Sequence, residues 1–98
     1  MLFRTPAPAN QVVELPLSSV DASPYQPRKS FSPAALDELT ESIRANGLLQ
    51  PVTVRPMDNG RYQLIVGERR LRACRMAGLE RIRALVIQAD DRQAAILA

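Results

Sequence analysis

Histidine and tryptophan are absent from this 98-residue chain, and cysteine occurs once, as Cys74. A single cysteine excludes an internal disulfide framework, and without histidine the chain cannot build a Cys/His metal site. The same absence excludes a Cys–His nucleophilic pair and a histidine general base. Cys74 lies three residues after Leu71 on a predicted helix, so we expect it to be a small core residue.

Long hydrophobic runs are also missing. No stretch approaches the length that spans a membrane, and the N-terminus lacks the apolar segment of a signal peptide. We therefore expect a cytoplasmic protein without membrane contact. Hydrophobic residues still make up 46% of the sequence, which is typical of a folded domain, and the length is enough for one small domain.

Lysine is scarce, because arginine supplies all of the 13 basic residues except Lys29. Arginine forms bidentate hydrogen bonds with phosphate and carboxylate groups, so the bias agrees with a polyanionic ligand. The net charge of +3 is too small to predict a duplex-DNA surface by itself. Genomic base composition would produce the same bias, and the sequence leaves that alternative open.

The arginines concentrate in residues 67–73, which read Gly-Glu-Arg-Arg-Leu-Arg-Ala. This segment follows an apolar strand-like run and opens a predicted helix, where free N–H groups and a flexible glycine suit a bound anion. Arginines in a first turn oppose the helix macrodipole, and an anion would remove that conflict. The pattern predicts a phosphate-binding loop, and its alternative is a solvated helix face.

The chain is expected to begin with a flexible leader over residues 1–11, which contain prolines and no hydrophobic periodicity. Residues 12–98 then form one domain. The apolar residues 94–98 would be an unusual end for a domain, so we expect this chain to be a C-terminally truncated part of a longer protein.

Residues 12–98 predict an α+β layout. A first helix begins with Ser32 as N-cap and Pro33 at its first position, and it ends near Asn46 with Gly47 as its stop. The other predicted elements are strands at residues 12–17, 52–55, 61–66 and 82–87, an arginine-rich helix stopped by Gly78, and a short helix at residues 93–97. We expect about four short strands packed with two to three helices.

Three blocks of sequence occur in the order and at the spacing of one family. They lie at residues 23–29, 46–51 and 66–73 and read Ser-Pro-Tyr-Gln-Pro-Arg-Lys, Asn-Gly-Leu-Leu-Gln-Pro and Val-Gly-Glu-Arg-Arg-Leu-Arg-Ala. Residues 12–98 resemble the N-terminal domain of ParB-type (ParB/Spo0J/Noc-like) chromosome and plasmid partition proteins. The resemblance implies the small ParB/sulfiredoxin-like α+β fold.

The resemblance also implies a function. Family members bind CTP with Mg²⁺, many hydrolyse it slowly, and the nucleotide closes a dimeric clamp that slides on centromere-like DNA. We therefore expect a nucleoid-associated, nucleotide-switched homodimer for DNA segregation, with a ParA-type ATPase as a further partner. In the family, the DNA-reading and dimerisation domains and a metal-holding glutamate–asparagine motif lie beyond this segment, so this chain receives no metal ligand.

Matching the family's motifs onto this sequence, residue by residue, assigns a nucleotide site. The triphosphate-side loop is formed by Gly67, Glu68, Arg69, Arg70, Arg72 and Ala73. The pocket is lined by Gly47, Leu48, Gln50 and Pro51, and the proline-rich segment that closes over it contributes Gln26 and Arg28. Taken without the family, residues 47–51 indicate a helix stop before a strand, and residues 26–28 a polar surface loop.

Two segments depart from the family pattern. Some members carry a threonine important for hydrolysis shortly before the first block, whereas Ala22 here has no hydroxyl group. CTP hydrolysis therefore stays open, and no catalytic residue is assigned. Residues 1–11 lack the basic segment that contacts ParA in many chromosomal members, which favours a plasmid-type or divergent relative.

An ATP-dependent phosphotransferase is the alternative function. Sulfiredoxin, whose fold is similar, uses a cysteine followed by histidine and arginine in its phosphate loop, where this chain has Glu68 and Arg69. A kinase of the free-serine type on the same scaffold would need a catalytic carboxylate, and Glu68 is the candidate within the loop. Base preference separates the alternatives, because a kinase would favour an adenine nucleotide.

Overall fold

The computed structural model describes residues 11–25 and 32–98. Its elements in chain order are β1 (Gln11–Pro16), a 3-10 turn (Leu17–Ser19), β2 (Val20–Asp21), α1 (Pro33–Asn46), β3 (Val52–Pro56), β4 (Tyr62–Val66), α2 (Glu68–Met76), β5 (Arg81–Val86) and α3 (Asp91–Leu97). The predicted α+β class is confirmed. The described residues contain five strands instead of about four, and three helices.

The five strands form one mixed sheet in the order β1-β5-β3-β4-β2. The central strand β3 runs parallel to β5 and antiparallel to β4, to which the predicted turn at residues 58–60 connects it. At the edges, β1 pairs antiparallel with β5, and β2 pairs parallel with β4. The sequence did not predict β2, because two residues are too few to show a periodic pattern.

The boundaries of α1 follow from its capping residues, as predicted. The hydroxyl oxygen of Ser32 accepts a hydrogen bond from the N–H of Ala35 at 3.4 Å, and Pro33 is the first helical residue. At the other end, Gly47 has a φ of 77° and donates its N–H to the carbonyl oxygen of Ile43 at 2.7 Å. The helix therefore ends where residues 47–51 begin.

The main core lies between the sheet and the helices α1 and α2. Its buried side chains include Leu36 and Ile43 from α1, Leu71 and Cys74 from α2, and Val52 and Val54 from β3. The expectation that Cys74 is a core residue is confirmed, because it has no exposed surface, and burial raises the pKa of its thiol. The arginine-rich helix is thus anchored by its apolar face.

The other face of the sheet carries α3. Arg55 on β3 and Gln63 on β4 are register partners, and the side chain of Arg55 also contacts the start of α3. Side chains alternate between the two faces of a strand, so Arg55 points away from the core residue Val54.

Among the described residues, no helix is long and apolar enough to cross a membrane.

The expected leader is only partly described. Gln11, the last residue assigned to it, is the first residue of β1, so the strand begins one residue earlier than predicted. Leu17, predicted as the end of this strand, instead begins the 3-10 turn. Residues 1–10 lie outside the described residues, and the leader stays a prediction for them.

Candidate functional site

Gly67 forms a tight junction between β4 and α2. It is the N-cap of α2, with φ 114° and ψ 34°, and its carbonyl oxygen accepts a hydrogen bond from the N–H of Leu71 at 2.9 Å. A Cβ atom at this position would lie 2.8 Å from Cγ1 of Val52. Both the positive φ and the close packing therefore require glycine here.

The contact with Val52 also brings two predicted site segments together. Val52 directly follows Pro51, the last residue of the segment 47–51, and it is completely buried. The start of α2 consequently packs on the start of β3. Residues 47–51 and 67–73 were assigned to one site from the sequence, and they are neighbours in the fold.

A hydrogen bond joins the same two segments through their side chains. Nη2 of Arg70 donates to Oε1 of Gln50 at 2.6 Å. The two residues are 20 positions apart in sequence, so the contact depends on the packing of β3 against α2. Both residues were predicted site residues, but the sequence did not predict that they pair.

Glu68 has an unusual environment for a carboxylate. It is 8% exposed, and its Oε2 lies 3.6 Å from Nη2 of Arg72. Its Oε1 is buried and has no hydrogen-bond partner among the described residues. An unsatisfied buried acceptor is unfavourable, so a hydrogen-bond donor that reached this oxygen would stabilise the folded chain.

The segment 47–51 combines an anchored residue with exposed ones. Leu48 is half-buried and packs against the core, whereas Leu49 is 73% exposed. Gly47 and Gln50 are exposed as well. The leucine at position 48 thus fixes the segment, and its neighbours face solvent beside α2.

Side-chain contacts between α1 and α2 fix the two helices relative to each other. Nη2 of Arg44 donates to the carbonyl oxygen of Met76 at 3.3 Å, and Oγ1 of Thr40 lies 3.9 Å from Sδ of Met76. Thr40 is buried and donates its hydroxyl to the carbonyl oxygen of Leu36 at 2.8 Å. Since residues 47–51 follow α1, these contacts also fix their position relative to α2.

The remaining predicted site residues differ in accessibility. Arg69 is exposed, and Arg70 and Arg72 are half-buried. Ala73 has no exposed surface and belongs to the core beneath the loop. Gln26 and Arg28 lie outside the described residues, and their assignment stays a prediction.

The loop is rich in positive charge. Within two turns, α2 carries the guanidinium groups of Arg69, Arg70 and Arg72 and a single carboxylate, that of Glu68. Guanidinium groups beside free N–H groups at a helix N-terminus suit phosphate oxygens. Within residues 11–25 and 32–98, no cluster of three or more histidine, cysteine, aspartate or glutamate residues could hold a metal ion.

A groove of about 660 Å³ lies at the other end of α2, beside the 3-10 turn and β2. Its arginines already bind their own chain: Arg61 pairs with Asp21 at 2.8 Å, and Arg75 donates to the carbonyl oxygen of Val20 at 3.0 Å. The hydrogen bond from Arg61 lowers the pKa of Asp21. These contacts hold β2 in place, and the sequence did not predict them.

The amino-acid sequence of the chain is similar to those of known proteins. The ParB N-terminal domain family matches residues 4–98. The chain is 53% identical over 87 residues to the chromosome-partitioning protein Spo0J of Thermus thermophilus, covering 89% of this chain and 32% of that protein. The chain thus spans about a third of the length of this relative, which is a chromosome-partitioning protein.

Solved structures share the fold. A C-terminally truncated ParB from Caulobacter crescentus, complexed with CTP-gamma-S, superposes with a TM-score of 0.81 at 38% identity, covering 89% of this chain and 49% of that one. The same protein complexed to the centromeric parS site gives 0.74 at 36% identity, with coverages of 87% and 43%. Sulfiredoxin from Arabidopsis thaliana gives 0.74 at 30% identity, with coverages of 89% and 96%.

Proposed function

Because the chain belongs to the ParB N-terminal domain family, we propose that it is the CTP-binding domain of a chromosome-partitioning protein. The triphosphate binds at residues 67–73, and the nucleotide extends along residues 47–51. A related ParB structure that contains CTP-gamma-S supports the choice of nucleotide. In this chain, spacing and charge indicate a phosphate ligand and do not distinguish cytosine from other bases.

The observation that carries the proposal is the packing of Gly67 on Val52. It joins the two segments that a nucleotide would bridge, and it presents the N-terminus of α2 with three arginines in its first turns. Backbone N–H groups and bidentate guanidinium groups then act together on phosphate oxygens. We assign Arg70 the main phosphate contact, with Arg69 and Arg72 beside it.

Mg²⁺ belongs to the proposal as the partner of the bound triphosphate. The residues fit this role, because Mg²⁺ is commonly held by one or two carboxylates together with substrate phosphates. Among residues 11–25 and 32–98, Oε1 of Glu68 is a buried carboxylate oxygen without a hydrogen-bond partner. The sequence assigned no metal ligand to this chain, and the proposal departs from that expectation: Glu68 would hold the hydrated ion beside the phosphates, where Mg²⁺ would neutralise part of their charge.

The nucleotide acts as a switch in the complete protein. A ligand shifts a conformational equilibrium only if it binds one state more tightly than the other. Gln26 and Arg28 in the proline-rich segment would add such contacts in the closed state, which forms a homodimeric clamp on centromere-like DNA. The parS complex of the Caulobacter protein supports DNA as a partner, and a ParA-type ATPase is a further proposed partner.

The sulfiredoxin-like alternative gains support from the shared fold and from the 30% identity to the Arabidopsis protein, but not from the chemistry of the site. Sulfiredoxin chemistry needs an accessible cysteine in the phosphate loop, where this chain has Glu68 and Arg69. Cys74 has no exposed surface, and its raised pKa disfavours the reactive thiolate. The available carboxylate, Glu68, is mostly buried, and we do not propose a phosphotransferase.

The test is calorimetric titration of three versions of the chain with CTP and Mg²⁺: wild type, Arg70→Ala and Arg83→Ala. Arg83 is exposed on β5, so its replacement removes the same charge away from the site. Arg70→Ala should lower the affinity by about 100-fold, because two charge-assisted hydrogen bonds are lost, while Arg83→Ala should bind normally. Equal affinities for the two variants would contradict the assignment of the loop.

A further inference from the structure

The hydrogen bond between Arg70 and Gln50 has a consequence for the loop's charge. Of the three loop arginines, Arg72 lies beside the carboxylate of Glu68, whereas Arg70 is held by the neutral amide oxygen of Gln50. An amide acceptor fixes the guanidinium group without neutralising it. Arg70 therefore keeps its full positive charge for an anion.

The same contact leaves most of the donors of Arg70 available. Guanidinium carries five N–H donors, and the bond to Gln50 uses Nη2. Within the part of the chain that the structure describes, this is the only hydrogen bond that the side chain of Arg70 makes. A long side chain with one fixed end loses less rotamer freedom when it binds a ligand, because part of that freedom is already lost.

We infer that Gln50 is a positioning residue, which acts on the phosphates through Arg70 and does not read the base. The inference rests on the proposed function and deepens it. Gln50 holds the guanidinium group of Arg70 against the segment 47–51, so the arginine is already oriented when the triphosphate arrives. Selectivity for triphosphate over monophosphate then depends on Gln50, and selectivity among bases does not.

The experiment measures the affinities of the chain for CTP, CMP and UTP, each with Mg²⁺, in wild type, Gln50→Ala and Gln50→Glu. Gln88→Ala is the control, since Gln88 is an exposed glutamine beside α3 and away from the loop. Gln50→Ala should lower CTP affinity by several-fold, up to about tenfold, because the side chain of Arg70 must then be ordered when the ligand binds. The affinity for CMP should change little, and the ratio of CTP to UTP affinity should stay as in wild type.

The glutamate variant tests the charge argument. Its carboxylate would form an ion pair with Arg70 and would repel the phosphates, so we expect weaker CTP binding than for Gln50→Ala. Gln50 is exposed, so thermal unfolding of both variants should match that of wild type.

Three results would overturn the inference about Gln50. A changed ratio of CTP to UTP affinity in Gln50→Ala would mean that Gln50 contacts the base, which overturns the inference. Unchanged CTP affinity in the same variant would also overturn it while leaving the proposed function intact. A wild-type chain that binds no nucleotide would overturn the proposed function and this inference with it.

Discussion

Arg55 on β3 donates a hydrogen bond from Nη2 to Oδ1 of Asp91, the first residue of α3, at 2.9 Å. The two side chains differ in environment, because that of Arg55 is 5% exposed and that of Asp91 is 83% exposed. Arg55 also donates to Oε1 of Gln63 and to the carbonyl oxygen of Ala89. A buried arginine thus ties the start of α3 to two strands of the sheet.

Replacement of Arg55 should loosen α3. Arg55→Met removes these hydrogen bonds and leaves the oxygens of Gln63 and Ala89 without their donor, which should cost about 1–3 kcal/mol of unfolding free energy. Asp91→Asn should cost less than about 1 kcal/mol, because the carboxylate is exposed to solvent. Urea unfolding and amide hydrogen exchange in α3 measure the two effects. Equal losses for both variants would show that the ion pair, and not the buried network, holds the helix.

The glycine at the start of α2 should be less replaceable than the glycine of the β3–β4 turn. Gly67 and Gly60 both have positive φ, 114° and 81°, so alanine is strained at either position. At Gly60 the added Cβ would meet nothing within 4 Å, whereas at Gly67 it would meet Val52. Gly67→Ala should therefore lower the free energy of unfolding by about 1–3 kcal/mol more than Gly60→Ala does, which is the usual cost of overpacking.

Urea unfolding of the two glycine variants gives this difference directly. Gly60→Ala serves as the matched control for backbone strain, since it shares the positive φ without the steric contact. Equal midpoints and slopes would mean that Val52 moves aside at no cost. The junction between the loop and β3 would then be looser than the structure indicates.

Stability should fall in acid through Asp21. The hydrogen bond from Arg61 lowers the pKa of Asp21 in the folded chain below its unfolded value. This contribution is therefore present above the unfolded pKa, near pH 4, and it is lost as the pH falls through the folded pKa. The stability difference between wild type and Asp21→Asn should shrink from pH 6 to below about pH 3. A difference that stays constant over this range, in urea unfolding at low salt, would rule out the linkage.

The thiol of Cys74 should be unreactive in the folded chain. Burial hides it from reagents and raises its pKa, so little thiolate is present at neutral pH. Alkylation by iodoacetamide should be slow in buffer and fast in urea, and Cys74→Ala should bind CTP as wild type does. Loss of nucleotide binding in that variant, with the fold intact, would show that Cys74 takes part in the nucleotide site.

Local signals were sufficient for much of the fold. The limits of α1 were predicted because Ser32, Pro33 and Gly47 act through their own backbone or the nearest turn. The α+β class and the burial of Cys74 were also predicted, since apolar periodicity reports which face of an element is covered. These features depend on neighbours in sequence.

The features that sequence missed depend on distant contacts. Strand β2 is two residues long and is held by Arg61 and Arg75, which lie 40 or more positions away. Arg55 follows three apolar or β-branched residues and gives no sign that α3 will cover it. Only tertiary packing determines that an arginine in a short strand is buried.

The candidate site shows the same division. Its loop was predicted from the glycine and the clustered arginines, whose backbone and charge requirements are local. The family resemblance added the segment 47–51, and the pairing of Arg70 with Gln50 appears only when the two segments pack together. The roles of Gln26 and Arg28 stay predictions, since these residues lie outside the described part of the chain.

The most direct test of the account is a calorimetric titration of the wild-type chain with CTP and Mg²⁺, with ATP, GTP and UTP titrated in parallel. The account predicts saturable binding of CTP at one site per chain, with clearly weaker binding of the other three nucleotides. A preference for ATP, or the absence of binding to any nucleotide, would contradict it.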